Sequence, residues 1–396
     1  MAKRLKARIN PDVLLWARTS ASYSLEDAAT KLGLDEDVLA AWEAGQDQPS
    51  IAQLRRLSTI YRRPLAVLYL PQRPVTFQPM HDFRRLPESG SSDYSPELAY
   101  EIRLAQQRRE LALELAGDAA DEDFPAFTLA TVLDAPVEEV GRKIRDALGV
   151  NYDIQSKWRD NRVAFLAWRS RIEDLGVLVF QTTRVESSEA SGFAFWAPKL
   201  PIIAVNQKDA PGRRLFSLLH ELTHLMLHQS GVSDLDDGRR QGWDQKVEVF
   251  CNRVAAAALM PKLQFLSQPA VGNAPDGRRE WTDDEIGSLA KAFSVSREAV
   301  VRRLLTLDRT TDAFYRMKRT QYIKEYTATL IRMRAQEGKK SIPRNMPNET
   351  VAAVGRPLVR LVLSQYHSDR LSLSEVSGFL GVKVRHLSKI EDRLAR

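Results

Sequence analysis

The sequence predicts an α+β, mostly helical protein, and three observations lead there. Residues 11 to 70 break into short amphipathic stretches divided by turn residues, the pattern of a five-helix helix-turn-helix bundle. Short β-branched and aromatic runs between 176 and 206 precede two apolar helical stretches, which gives the central domain a small sheet and an H-E-x-x-H helix. Beyond about 280 the chain reads as helical throughout, a helical C-terminal region.

At 396 residues the chain is too long for one typical domain. The expected division is a helix-turn-helix domain over 1–74, a linker and helix over 75–117, and a central domain over 118–280. A helix-turn-helix-like extension over 281–330 and a C-terminal helical domain over 331–396 follow. The net charge of +7 suits an anionic partner, DNA among them. One cysteine, Cys251, excludes an internal disulfide framework and fits a reducing compartment. The basic start "MAKRLKARINP" leads into no apolar run, and no stretch approaches the length of a membrane span. The expectation is a soluble, cytoplasmic protein with no membrane partner.

Each element has a local reason. "PDVLLWARTS" forms a first helix, and Ser24 caps "LEDAATKLGL" with Asp27 three positions on. "DEDVLAAWEAG" stops at Gly45 before Pro49, and "SIAQLRRLSTIYRRP" supplies the next helix. "LPESGSSDYSP" reads as linker, and a polar helix covers 96 to 116. A helix ending at Gly149 and another ending at Gly176 precede the strand candidates "VLVF", "SGFAFW" and "PIIAVN". Helices over 214–228 and 246–259 follow. "DEIGSLAKAFSVSREAVVRRLL" and "SLSEVSGFLGVKVRHLSKIEDRL" both repeat the helix-turn-helix rhythm of "SLEDAATKLGLDEDVLAAW".

The chemistry concentrates in "FSLLHELTHLMLH". Residues four apart share a helix face, so His220 and His224 project together with Glu221 beside them. Two imidazoles at that spacing hold zinc, and a neighbouring carboxylate takes a proton from water that the metal has acidified. Three of the chain's six histidines fall within nine positions, which argues against stray polarity on a buried helix.

Such a metal needs a third protein ligand. His228 lies one turn further along, yet eight residues of straight helix span roughly 12 Å, too far for one ion to collect all three imidazoles. It reads instead as a residue behind the ligands or at the helix end. Glu248 stands among apolar residues in "KVEVFCNRVAAAALMP", where a carboxylate needs a partner, and it is the preferred third ligand. Asp234, Asp236 and Asp237 are weaker candidates.

These stretches resemble the ImmA/IrrE-type zinc metallopeptidases. "RRLFSLLHELTHLML" and "VEVFCNRVAAAALMP" carry the likeness, with Glu248, Cys251, Asn252, Ala255 and Met260-Pro261 in the second motif. "SGFAFWAPKLPIIAVNQ" is similar to the family's Gly-Phe strand and the strand ending at Asn206. "HDFRRLP" is similar to the Asp-Phe-Arg segment of its longer members. Val254 departs from the Phe that many members have there. The resemblance implies a gluzincin-like peptidase domain that binds one zinc ion through His220, His224 and Glu248, with Glu221 as general base. It also implies a narrow protein substrate, a helix-turn-helix repressor whose cleavage switches on stress-response or mobile-element genes. It does not extend to about the last seventy residues.

The N-terminal unit resembles the phage-repressor-type (XRE) domain, whose second helix enters the major groove N-terminus first. Here that end carries Asp35, Glu36 and Asp37, which oppose a polyanion. Lys3, Arg4, Lys6 and Arg8 offer a compensating arm, and Gln46 and Gln48 offer phosphate donors. The C-terminal look-alike is the reverse, with Lys383, Arg385, His386 and Lys389 on its second helix. Two readings stay open: a zinc endopeptidase acting on a repressor, or a DNA-binding regulator or toxin–antitoxin component whose peptidase-like domain senses metal or a partner.

Overall fold

The structure, a computed structural model, describes residues 6–74, 81–82, 94–117, 124–158, 160–233, 242–274, 280–337 and 345–394. The chain separates into two compact units, Met1–Pro79 with Glu88–Gln107, and Met80–Pro87 with Arg108–Arg396.

The first unit is built from α1 (Pro11–Thr19), α2 (Leu25–Leu32), α3 (Glu36–Glu43), α4 (Ile51–Ile60) and a 3-10 turn over Leu65–Tyr69. Asn10, Ser24 and Ser50 cap α1, α2 and α4, each accepting a backbone N–H of the first turn. Leu14, Ala28, Leu32, Leu39, Trp42, Leu54 and Leu57 meet in one core. Arg18 clamps Glu43 with two hydrogen bonds of 2.8 and 2.9 Å, tying α1 to α3. The Gln48 side chain braces the fold: its Oε1 accepts from the Ile9 N–H at 3.2 Å and its Nε2 donates to the Ile9 carbonyl at 3.5 Å. Gln46 is exposed, and Lys3 and Arg4 lie outside the described residues. Helix α5 (Pro96–Ala116) is divided between the two units after Gln107.

The second unit holds a five-stranded mixed sheet in the order β1-β5-β3-β4-β2. Its strands are β1 (His81–Asp82), β2 (Leu178–Thr182), β3 (Gly192–Phe195), β4 (Ile202–Asn206) and β5 (Gly231–Ser233). β2 runs parallel to β4, β3 is antiparallel to both β4 and β5, and β1 is parallel to β5. β2 to β4 are the three strands expected from the sequence, whereas β1 and β5 are too short to show a period.

Around the sheet lie α6 (Val137–Ala147), α7 (Tyr152–Gln155), α8 (Asn161–Glu173), α9 (Pro211–Met226) and α10 (Gly242–Leu259). Trp168, Ile172, Ile203, Val205, Leu218, Leu222, Val254 and Ala258 interlock in the main core, so α9 is pinned between strands and α10. Short α11 (Lys262–Leu266) and α12 (Pro269–Gly272) lead to α13 (Asp283–Phe293), α14 (Arg297–Thr306) and α15 (Asp312–Glu337).

The C-terminal helices are α16 (Met346–Val354), α17 (Arg356–His367), α18 (Leu373–Leu380) and α19 (Leu387–Leu394). They belong to the second unit. Arg169 on α8 donates to the Ala352 carbonyl at 2.7 Å, anchoring the end of α16 beside β2. Gly355 follows with φ of 87°, and a Cβ there would sit 3.0 Å from the Val179 carbonyl oxygen of β2. Glycine suits both the backbone angle and the close approach.

Candidate metal centre

Pro211 opens α9 at a position where its missing N–H costs nothing. Every residue from Leu215 to Met226 is buried, so the helix cannot turn its polar residues to solvent. His220, Glu221, His224 and Glu248 each expose 1% or less of their surface. Such polarity in a core needs mutual satisfaction or a bound ion.

The side chains converge. His220 Nε2 and His224 Nε2 lie 3.1 Å apart. The Glu248 carboxylate, brought in by α10, places one oxygen 3.2 Å from each. All three donor atoms fall within 4.8 Å of one another, a group that could hold a metal ion. Metal–ligand bonds of about 2.0 Å in tetrahedral geometry put ligand atoms about 3.3 Å apart, so the donors are spaced for one ion.

Further contacts hold the donors in place. Asn252, one turn beyond Glu248, has its Oδ1 3.0 Å from His220 Nδ1. An amide oxygen only accepts, so His220 Nδ1 carries a proton directed at Asn252 and its Nε2 is the nitrogen turned to the cluster. Ser233 at the end of β5 lies 3.4 Å from His224 Nε2 and donates to Glu248 Oε1 at 3.4 Å. Gly192 of β3 lies against Glu221: a Cβ there would stand 2.7 Å from the Ala204 carbonyl oxygen and 2.9 Å from Glu221 Oε1.

Electrostatics agree with ligand roles. Burial alone would raise the Glu248 pKa, but the neighbouring His220 and hydrogen bonds from both imidazoles hold it well below the ordinary carboxylate range. Burial lowers the His224 pKa against the opposing pull of Glu248, which favours the neutral imidazole that a metal requires.

His228 is not part of the cluster. Helix α9 ends at Met226, and His228 adopts a left-handed φ of 57°. Its exposed ring packs on Trp196, with centroids 4.7 Å apart. Asp234, Asp236 and Asp237 lie outside the described residues, as do Phe83 and Arg84; the backbone of Asp82 forms part of β1. Nothing in the sequence singles out Ser233, and Asn252 stands there only as one position of the second motif.

Fold and site together define a metallopeptidase-like domain in a chain that also carries a helix-turn-helix. The comparison with protein families agrees: residues 172–305 match the family of the IrrE N-terminal-like domain, a peptidase family, and residues 14–68 match a helix-turn-helix family. Residues 172–305 are thus similar to IrrE/ImmA-like peptidases, and residues 14–68 to XRE-type helix-turn-helix domains. No curated protein matches the chain. Among the described residues no helix is long and apolar enough to cross a membrane.

Proposed function

We propose that this chain is a zinc-dependent endopeptidase that cleaves a helix-turn-helix repressor and so derepresses stress-response or mobile-element genes. The observation that carries the reading is the convergence of His220, His224 and Glu248 with Glu221 adjoining them. Two imidazoles and one carboxylate are a donor set typical of zinc, which when bound polarises a carbonyl and acidifies water.

The chain's own residues do the rest. Asn252 fixes the His220 tautomer, and Ser233 steadies Glu248. Glu221 accepts the proton of the attacking water and passes it to the leaving amine. The repressor as substrate rests on the family resemblance and on the helix-turn-helix that shares the chain.

Replacing Glu221 by Gln keeps the shape and removes the base. New protein N-termini in cells expressing the wild-type chain should be absent with Glu221→Gln, a rate loss of about 10²- to 10⁴-fold, with metal content unchanged. The burial of all four side chains favours a second reading, a regulator whose metal-bearing domain only senses metal or a partner. Under that reading Glu221→Gln leaves both the regulatory output and the set of N-termini as they were.

A further inference from the structure

Among the described residues one turn joins three full-length helix pairs, and it also joins α6 to the short α7 at Gly149, where the Val150 N–H donates to the Arg145 carbonyl. In α2–α3 the joining residue Gly33 has φ 64° and ψ 45°; in α13–α14 Ser294 has 54° and 44°; in α18–α19 Gly381 has 65° and 30°. The next residue in each case donates its N–H five positions back, Leu34 to Ala29, Val295 to Ala290 and Val382 to Ser377. An extended residue then opens the second helix: Asp35, Ser296 and Lys383. Each first helix begins at a Ser or Thr cap with an acid three residues on: Ser24 and Asp27, Thr282 and Glu285, Ser372 and Glu375. The C-terminal pair therefore shares the turn and the capping of α2–α3 as well as its sequence rhythm.

The three second helices differ in what they present. α14 is buried along Ala299 to Leu304, including Arg302 and Arg303, so it has no free face to dock. α3 is exposed at its start but shows Asp35, Glu36 and Asp37. The last unit, a 3-10 turn over Val384–His386 running into α19, exposes Lys383, Arg385, Ser388 and Lys389. No carboxylate pairs with Lys383, Arg385 or Lys389 among the described residues. Of the acids on α19, Glu391 is held by His367 at 3.0 Å, and Asp392 lies one turn past Lys389, away from the entering end. Arg370, exposed two residues before the Ser372 cap, adds charge where a first helix crosses the phosphates.

We propose that α18–α19 is a duplex-DNA-binding module, with the start of the last helix entering the major groove and Lys383, Arg385 and Lys389 contacting phosphates and base edges. In this arrangement the C-terminal unit anchors the chain to DNA. The assignment is independent of the peptidase activity.

The test is fluorescence anisotropy of the full chain with a labelled mixed-sequence duplex from about 50 to about 200 mM salt, the range over which phosphate contacts show. Each phosphate contact contributes about 0.9 to the slope of log K against log salt, so Lys383→Glu/Arg385→Glu/Lys389→Glu should flatten it by about 2 to 3. Affinity at the lower salt should fall roughly tenfold to a hundredfold. Arg8→Glu/Arg55→Glu/Arg56→Glu, the same charge change on exposed residues of the first unit, should have far less effect. Three outcomes overturn the proposal: no duplex binding by the wild type, loss of binding only in the N-terminal variant, or preference for single-stranded RNA over the duplex. Far-ultraviolet circular dichroism and thermal melting of the C-terminal variant show whether the fold persists. If it does not, Lys383→Gln/Arg385→Gln/Lys389→Gln gives the same reading with a milder change.

Discussion

Asn252 Oδ1 accepts a hydrogen bond from His220 Nδ1 at 3.0 Å, so α10 supplies both the carboxylate of the donor cluster and the group that orients an imidazole on α9. The two residues sit one turn apart on one helix, and a rotation of α10 that displaced one would displace the other. Removing the amide frees the His220 ring and its tautomer. Asn252→Ala should weaken zinc binding about 10- to 100-fold, read by competition with a chromogenic chelator. Asn252→Asp, which also accepts from Nδ1, should recover most of the loss. Equal zinc affinity in all three proteins would mean that packing alone sets the ring.

Gly192 makes a second prediction because the obstacle to a side chain is backbone. A Cβ 2.7 Å from the Ala204 carbonyl oxygen must displace β3 from β4, and its 2.9 Å approach to Glu221 pushes the same way. Gly192→Ala should cost about 1 to 3 kcal/mol, measured by urea unfolding. An unchanged midpoint would show that β3 shifts freely.

The centre was legible where chemistry needs rare residues at a fixed spacing. His220 and His224 stand out because two imidazoles four apart share a helical face in an apolar run with Glu221 beside them, and Glu248 because a carboxylate among apolar residues needs a partner. Ser233 was hidden, since β5 spans three residues and a serine at a strand end carries no signal of its own. His228 looked helical by spacing, but the helix ends at Met226, which only the left-handed backbone at 228 reveals. Gln48 was read only as a phosphate donor, and its contacts with the backbone of Ile9 join residues too far apart in sequence to be foreseen from spacing.

Asp209, just ahead of α9, gives a pH dependence. Burial raises its pKa, and the attraction of Arg213, whose Nε is 3.5 Å away, only partly offsets this. A carboxyl whose folded pKa lies above the unfolded value of about 3.9 stabilises fully below that value, and the contribution is lost as pH rises through the folded pKa. Asp209→Asn does not titrate. Its stability relative to wild type should therefore improve as pH rises from about 4 towards neutrality. Urea midpoints of both proteins across that range give the comparison; a relative loss with rising pH would show that Arg213 outweighs burial.

Arg303 on α14 is fully buried and donates through Nη1 and Nη2 to the two oxygens of Glu138 at 2.7 and 2.8 Å, and through Nε to the Met260 carbonyl at 2.8 Å. Met260 directly follows α10, so this one guanidinium ties the end of the helix carrying Glu248 and Asn252 to α6 and α14. The partners are unequal: the Glu138 side chain is 40% exposed and can be solvated, whereas Arg303 cannot. Removing the carboxylate leaves a buried cation without its pair, so Glu138→Ala should cost about 3 to 5 kcal/mol. Replacing the cation as well removes that penalty, and Glu138→Ala/Arg303→Met should recover much of the loss. Denaturant unfolding of the two single variants and the double variant measures the coupling. A double variant no more stable than Glu138→Ala would place the cost in packing around Met260 rather than in the buried charge.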